Sequence, residues 1–470
     1  MKKLISIVSI ICVIACLFTF AACDPTATGG DWWTTTGELK KDEDGKVVFE
    51  KVTLKLTTVV SGTDRAAFMQ MVEEFNALYE DKISIEVNAL YQDQFDATVP
   101  KQIADDSNSP DFIMSHQHEH RRYLDRKYIQ PFDEAMEKSG ITINMSDYAS
   151  KIAQYASLGT EHTYGIPCDA QSSVVLYNKT LLGSNPLPTN RAELLSLCAK
   201  IKSENPSVTP IAMSTSHASF VDYVFPTAIL QNGGSLFKSD LHADWESNEQ
   251  NRTAYMNAIA SIREFVTKGY SVTKRELESV HTDFKSDKAL FLITNPWEVS
   301  DILADYATDH GNMPLETVKS ERIGATGIAK WFAKDASSEN ADKIFSYSHF
   351  FAITKNVKDI NKKAAICEFV KWFTQNAGIG ARWAEAGHIT MSNVINNSDV
   401  YKNNDFVKNY INQFYPDINK LESMGTTPYY SYLTTNLKEI ITRALENATD
   451  TSDRTLIKTY QDRYNGNVDF

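Results

Sequence analysis

The sequence predicts an α/β fold in which mostly parallel strands form sheets and helices pack on their faces. Two observations predict it. From Val52 onward, short segments with two-residue alternation are repeatedly followed by segments of helical periodicity. Strands joined through helices return to the same side of a sheet and so run parallel. The second observation is size: 470 residues give room for two or three domains, and no internal repeat divides them.

The elements follow in chain order. Met1-Lys2-Lys3 is basic, Leu4 to Phe20 is apolar, and Ala21-Ala22 places small residues before Cys23, the pattern of an export signal. The apolar run approaches the length of a short membrane span, so an uncleaved anchor is the competing reading. Residues 23–47 are rich in Thr, Gly and charge without a period, which predicts a flexible tether. About 25 such residues would reach about 25–30 Å. Trp32-Trp33 within it suits either a lipid interface or a fold back onto the body.

Val52, Leu54 and Leu56 alternate as a first strand, and Ser61-Gly62-Thr63-Asp64 supplies a turn with capping side chains. Phe68, Met71, Val72, Phe75, Leu78 and Tyr79 then fall on one helical face. Ile83, Ile85 and Val87 alternate, a polar helix spans Asp93 to about Asp105, and Asp111 to Met114 is a third strand. Further helices are predicted around Leu194–Ile201, Ile366–Phe373 and Leu437–Leu445, with Gly378 as a stop after the second. Further strands are predicted at Pro210–Ser214, Ala289–Ile293 and Phe350–Ile353. Ligands of open parallel sheets bind beyond the strands' carboxyl ends. Here those ends are Ser61–Asp64, Tyr91-Gln92-Asp93 and Ser115–His118.

Composition narrows the class. Hydrophobic residues at 42% and charged residues at 23% suit a soluble globule. A formal charge of −13 argues against a nucleic-acid partner, which needs a basic face. Beyond Cys12, Cys16 and Cys23, the cysteines are Cys168, Cys198 and Cys367. Three, widely spaced and without Cys-x-x-Cys, make neither a disulfide framework nor a zinc site, and read as buried small residues. No nucleophile elbow, P-loop or zinc-protease motif occurs. Glycoside hydrolysis needs only two carboxylates, so a surface glycan hydrolase stays a competing reading.

Four stretches, in order, resemble bacterial extracellular solute-binding proteins of the maltose-binding type. They are "LKLTTVVSGTDRAAFMQMVEEFNAL", "EHTYGIPCDAQSSVVLYNKTLL", "KALFLITNPWEVSDI" and "KKAAICEFVKWFTQNAGIGARWAEAGHIT". The sequence departs from the pattern at Asn295, where glycine is usual, and at Thr390, where proline is usual. Residues 20–23 resemble a bacterial lipobox, with Phe20 in place of an aliphatic residue. That implies a lipoprotein signal peptide over 1–22, lipidation at Cys23 and anchoring outside the cytoplasm. The resemblance implies a two-lobed periplasmic-binding-protein-like fold with a ligand cleft between the lobes. It implies an N-terminal lobe of 48–174 plus 333–375, and a C-terminal lobe of 175–332 plus 376–470. Chain crossings are expected near 173–177, 322–332 and 374–378. The implied function is that of the substrate-binding lipoprotein of an ABC-type importer, a monomer without cofactor. Hinge closure would capture a sugar or oligosaccharide and present it to permease subunits. The alternatives are a receptor for peptide or another polar or cationic solute, a hydrolase, or a non-transport adhesin or sensor on the same fold.

The candidate ligand contacts follow. Trp297 matches the family's cleft tryptophan, and its indole offers a flat apolar surface to a sugar ring; without the resemblance it would read as core. His116 and Gln117 follow the third strand and suit ligand hydroxyls, or else a solvated helix start. Ser61, Thr63 and Asp64 suit a helix cap, ligand contacts or both. Asp169 and Gln171 lie in the "YGIP" crossing, where the resemblance places contacts, and Tyr347 and Ser348 lie in "SYSHF", which resembles the family's polar loop into the cleft. Asp222, beside Tyr223, is a cap or a contact. His388 is expected at the cleft rim and Trp383 in the core. Tyr429-Tyr430 closes the cleft or packs on the last helix. His116, His118 and His120 alternate, but a helix starting within them makes them diverge, so no metal site is expected.

Overall fold

A computed structural model describes residues 32–468 apart from 107, 424, 426, 428 and 447–449. The signal segment, Cys23 and the first part of the predicted tether lie outside the described residues. Described residues fall into two units, 32–34 and 35–468. In the first, Trp32 and Trp33 stand edge to face, centroids 5.5 Å apart. The second holds everything that follows.

The tether prediction fails from Thr35 onward. The Thr36 amide donates to Lys358 O at 2.8 Å and its carbonyl accepts from the Ile360 amide at 2.9 Å. Lys41 pairs with Val47 across a turn capped by Asp42, and Val47 is buried. Backbone pairing and one apolar anchor hold a segment whose composition alone suggested disorder.

Two hydrophobic cores define two lobes. The first is built on a sheet whose strand Val52–Thr58 pairs in parallel with Ile83–Ala89 and Phe112–His116. Its inward residues Leu54 and Leu56 meet Phe68, Phe75 and Phe369 from the helices Arg65–Leu78 and Ile360–Gln375. Asp359 starts the latter helix by accepting from the Asn361 and Lys362 amides. The second lobe is built on Val174–Asn178, Thr209–Ala212, Ala289–Thr294 and Ile323–Thr326.

The sheets are mixed rather than mostly parallel, and the hinge is the reason. His349–Thr354 returns from the second lobe, enters the first sheet at the cleft end and lies antiparallel to Phe112–His116. Val174–Asn178 leaves the hinge into the second sheet and lies antiparallel to Ala289–Thr294, which runs towards the cleft. A strand that arrives through the hinge has no helical crossover to turn it parallel.

The crossings also differ from expectation. The Ile344–Phe345 strand pairs with Leu421–Glu422, and both its residues belong to the second core, so 333–345 is not first-lobe chain. The second crossing is Ser346–Ser348, not 322–332. Gly324 is packed against the Tyr177 ring, which leaves no room for a Cβ, so that glycine serves close packing and not flexing. Ile379 and Trp383 still pack in the first core, which moves the third crossing from 374–378 to the segment after Glu385. The three crossings pair side by side: Ile389 with Ala170, Thr390 with Asp169, and Gln171 with Tyr347. Cys168, Cys198 and Cys367 are buried and unbridged. Among the described residues, no helix is long and apolar enough to cross a membrane.

Candidate functional site

The hinge strip, the first sheet's carboxyl ends and the turn after Ala289–Thr294 enclose a cleft of about 650 Å³. That lies within the ~300–1,000 Å³ common for small-molecule sites. Of the candidate contacts, Ser61, Asp64, His116, Gln171, Asp222, Tyr347 and Trp297 line it.

Strand parity decides what the hinge strip presents. Successive side chains point to opposite faces, so Asp169 and Gln171 share a side with Tyr347 and His349. Gln171 Nε2 lies 3.3 Å from His116 Nε2 and 3.5 Å from His349 Nε2. Ser348 falls on the other side. Its amide donates to Gln117 Oε1 at 2.8 Å. Gln117 also bonds Ser423 and is fully buried. Gln117 and Ser348 therefore tie the crossing together and do not line the cleft.

Asp169 and His388 are likewise not on the cleft surface: both are wholly buried. His388 stacks on Trp383, centroids 3.9 Å apart and planes 5° from parallel. Its Nε2 donates to Asp64 Oδ2 at 2.8 Å. Its Nδ1 lies 3.1 Å from Asp169 Oδ2, an ion pair more than a well-aligned hydrogen bond. Burial would lower this imidazole, but Asp169, and then Asp64, override it and lift it to about 9. Burial would likewise raise the Asp169 carboxyl. His349 and His388 override that and hold it well below the usual carboxylate range. Asp169 Oδ2 also accepts from His349 Nδ1 at 3.0 Å and from Trp383 Nε1 at 2.9 Å. Trp383 is thus core, as expected, with a polar task. Asp169, His349 and His388 bring potential metal-ligand atoms within 4.8 Å of one another. Chemically the set is an ion-pair centre: an imidazolium between two carboxylates has no lone pair to give.

Asp64 stands at the start of helix Arg65–Leu78 yet caps no amide with its side chain, and its Oδ2 is held by His388. Its Oδ1 has no partner. Thr63 lies outside the cleft, and its Oγ1 donates across the lobes to Trp297 O at 2.5 Å. Trp297 is held by the Asn295-Pro296 turn. There Glu298 Oε2 accepts from Thr294 Oγ1 at 2.8 Å and from Asn295 Nδ2 at 3.0 Å. Gly387, at φ +95°, packs so closely on Pro296 and the Trp297 amide that a Cβ would lie 2.3–2.4 Å from them. The indole is half-buried and meets Tyr223 edge to face at 6.3 Å.

His217, Glu298 and His349 line the cleft without any sequence signal for it, while Tyr91, Asp93, Tyr223 and Tyr430, which the sequence offered only as a strand end or as one of two readings, line it as well. Tyr91 and Asp93 belong to a strand end already flagged, and Tyr430 closes the cleft with its hydroxyl on Asp222 Oδ1 at 3.1 Å. Burial pushes the Asp222 carboxyl up to about 7. Of the three alternating histidines, His116 lines the cleft and keeps His118 beside it, ring centroids 5.4 Å apart; His118 meets the Tyr430 ring at a tilt, centroids 3.9 Å apart, and His120 turns away, its Nε2 3.1 Å from Ser115 Oγ.

Two α/β lobes, three paired crossings and a polar, aromatic cleft at the strands' carboxyl ends are the build of a receptor that closes over a small solute. Comparison with known proteins agrees. The family model described as bacterial extracellular solute-binding protein matches residues 60–379, and the chain belongs to that family. Among curated proteins, none matches the sequence significantly. Three solved structures share the fold at low identity. The GacH receptor of Streptomyces glaucescens, described in complex with acarbose, is 17% identical at TM-score 0.68, over 88% of this chain and 97% of that one. The sugar-binding protein MalE of Xanthomonas citri is 13% identical at TM-score 0.69, over 88% and 97%. The maltose-binding periplasmic protein MalE of Listeria monocytogenes, in complex with maltose, is 13% identical at TM-score 0.64, over 89% and 100%.

Proposed function

We propose that this protein is the sugar-capturing receptor of an ABC-type importer, held at the outer face of the cell membrane through Cys23. The observation that carries the reading is the half-buried Trp297, fixed by its turn and facing an open cleft whose other groups are hydroxyls, carboxylates, amides and imidazoles. One face of a pyranose is mostly C–H and stacks on an indole, while its hydroxyls need the polar groups around the rim. Ser61, Asp64, His116, Gln171, Asp222 and Tyr347 supply those groups from both lobes and the hinge. The sugar-binding neighbours of the same fold add support. Mechanism is capture without covalent chemistry: solute bridges the lobes, the closed state gains population, and a permease reads that state. Periplasmic binding proteins are a standard example of such hinge closure.

A melting-temperature screen of the purified protein against mono- and oligosaccharides, with amino acids, peptides and divalent ions as controls, tests this. A ligand that binds only the folded state raises the melting temperature by mass action. A rise with a glycan class, and no glycan breakdown, is expected. A rise with peptides alone would end the sugar reading.

A further inference from the structure

The charged groups of the cleft wall have one sign. Asp64 and Asp93 line it from the first lobe, Asp222 and Glu298 from the second, and no lysine or arginine is among its described lining residues. Two of its imidazoles are biased towards the neutral form, and the buried His388 imidazolium behind the wall is shared between two carboxylates, Asp64 and Asp169. His116 is held well below its ordinary range by burial and then by His349 and His118, and burial lowers His217. A lysine does act on Asp222, but Lys438 does so from an exposed position on the helix Tyr430–Glu446, outside the lining.

A second observation points to what the wall asks for. Asp64 is more than nine-tenths buried, lines the cleft, and its Oδ1 has no hydrogen-bond partner. A buried acceptor left unmade is costly, and only a donor relieves it. Asp222 adds a constraint of the other kind. Burial already raises its carboxyl to about 7, with only the Tyr430 hydroxyl in direct contact, so a further negative charge beside it is unfavourable. An incoming anion would meet carboxyl groups from both lobes, and no lysine or arginine on the described lining, in a cleft where water screens poorly.

We propose that the cleft selects its glycan by charge: it takes uncharged or amine-bearing saccharides and refuses those carrying carboxylate, sulfate or phosphate. The proposal rests on the sugar reading above and adds the ligand's charge class. Hydroxyl and ammonium hydrogens pair with the carboxylates of the wall, whereas an anionic substituent pairs with none of them.

The test is an array of neutral, amine-bearing and acidic glycans probed with the purified protein. Calorimetry at pH 7.5 then compares the best neutral hit with its analogue oxidised to a uronate. The expected result is hits confined to neutral and amine-bearing glycans, with the uronate analogue at least tenfold weaker. Asp93→Lys, at an exposed position on the lining, should narrow that gap at least threefold. A uronate analogue less than tenfold weaker, or a gap unchanged in Asp93→Lys, overturns the charge rule and leaves the sugar receptor standing. An array blank in every class, with the protein folded, removes the sugar reading and this inference with it.

Discussion

The hinge side of the cleft and its tryptophan wall are built from the same palette of polar and aromatic residues, and they use it in opposite ways. On the hinge side, His388 lies between Asp64 and Asp169, stacked on Trp383, and three of those four side chains are at most 1% exposed. On the wall, Trp297 is half-buried and Tyr91 is 63% exposed. One group of residues has found its partners within the chain; the other is waiting for them. A polar residue near a cleft is therefore a ligand contact only after its internal partners have been counted.

The largest effect that separates the two regions is on stability. His388→Leu would leave Asp64 and Asp169 facing each other, buried, without the cation between them. Stranding buried charge in this way costs about 3–5 kcal/mol, read as a shift of the denaturation midpoint at pH 7. A loss below about 1 kcal/mol would mean that the centre carries no charge pair, and the contrast drawn above would fail.

Trp297→Ala should do the reverse. Losing roughly 100 Å² of apolar contact with solute at ~25 cal/mol per Å² is worth about 2.5 kcal/mol, or roughly 70-fold in Kd by calorimetry. The melting temperature of the unliganded protein should move little. If it falls as far as in His388→Leu, Trp297 is core and the wall is not a wall.

Acidity sharpens the comparison further. The His388 imidazole is raised from 6.5 to about 9 in the folded chain. Its contribution to stability is therefore complete below about pH 6.5 and lost as pH rises through about 9. Asp169, held low, acts at the other end: its contribution is present above the usual carboxylate range and is lost only in strong acid. The melting temperature should fall between pH 7.5 and pH 10 in the parent, with a distinctly shallower fall in His388→Leu. Identical slopes would show that another group governs the alkaline limb.

Much of this architecture was readable in the sequence, because local pattern reports local structure. The alternation at Val52–Leu56 and Ile83–Val87, and the helical face from Phe68 to Phe75, appear where expected. So does the strand that delivers Trp297. What was not readable depends on partners distant in sequence. The glycines of "RIGATGIAKWF" suit a flexing crossing or close packing equally, and only the Tyr177 ring, about 150 residues earlier, decides for packing at Gly324. Ser348 and His349 are neighbours with equal claims to the cleft, and only the pairing of Gln171 with Tyr347 fixes which face each takes. His388 and Asp169 carry the residue types of a binding site, but their use follows from Asp64 and Trp383 folding onto them. Tyr91 and Asp93 were within reach, since the strand end that carries them had already been marked as cleft edge.

The smallest predicted effect probes the seam where the two regions meet. Thr63 belongs to the loop that ends in Asp64, and its hydroxyl donates to the Trp297 carbonyl on the other lobe at 2.5 Å. Ser300 Oγ makes a second such contact with Glu385 O at 2.8 Å. Neither bond touches the cleft interior, so neither adds directly to solute contact; both exist only while the lobes are together. Thr63→Val keeps the shape and removes the donor, at a cost of about 0.5–1.5 kcal/mol. That cost falls on the closed state alone, so it appears as a roughly two- to tenfold weaker apparent Kd. The unliganded radius of gyration in solution scattering should rise, while the denaturation midpoint stays within error because an exposed hydroxyl contributes little to either core. The two regions would then be separable by three substitutions: His388 for the fold, Trp297 for the solute, and Thr63 for the closure that joins them. A fall in melting temperature without a change in Kd would instead assign Thr63 to the fold, and the lobes would owe their closed arrangement to the hinge strip alone.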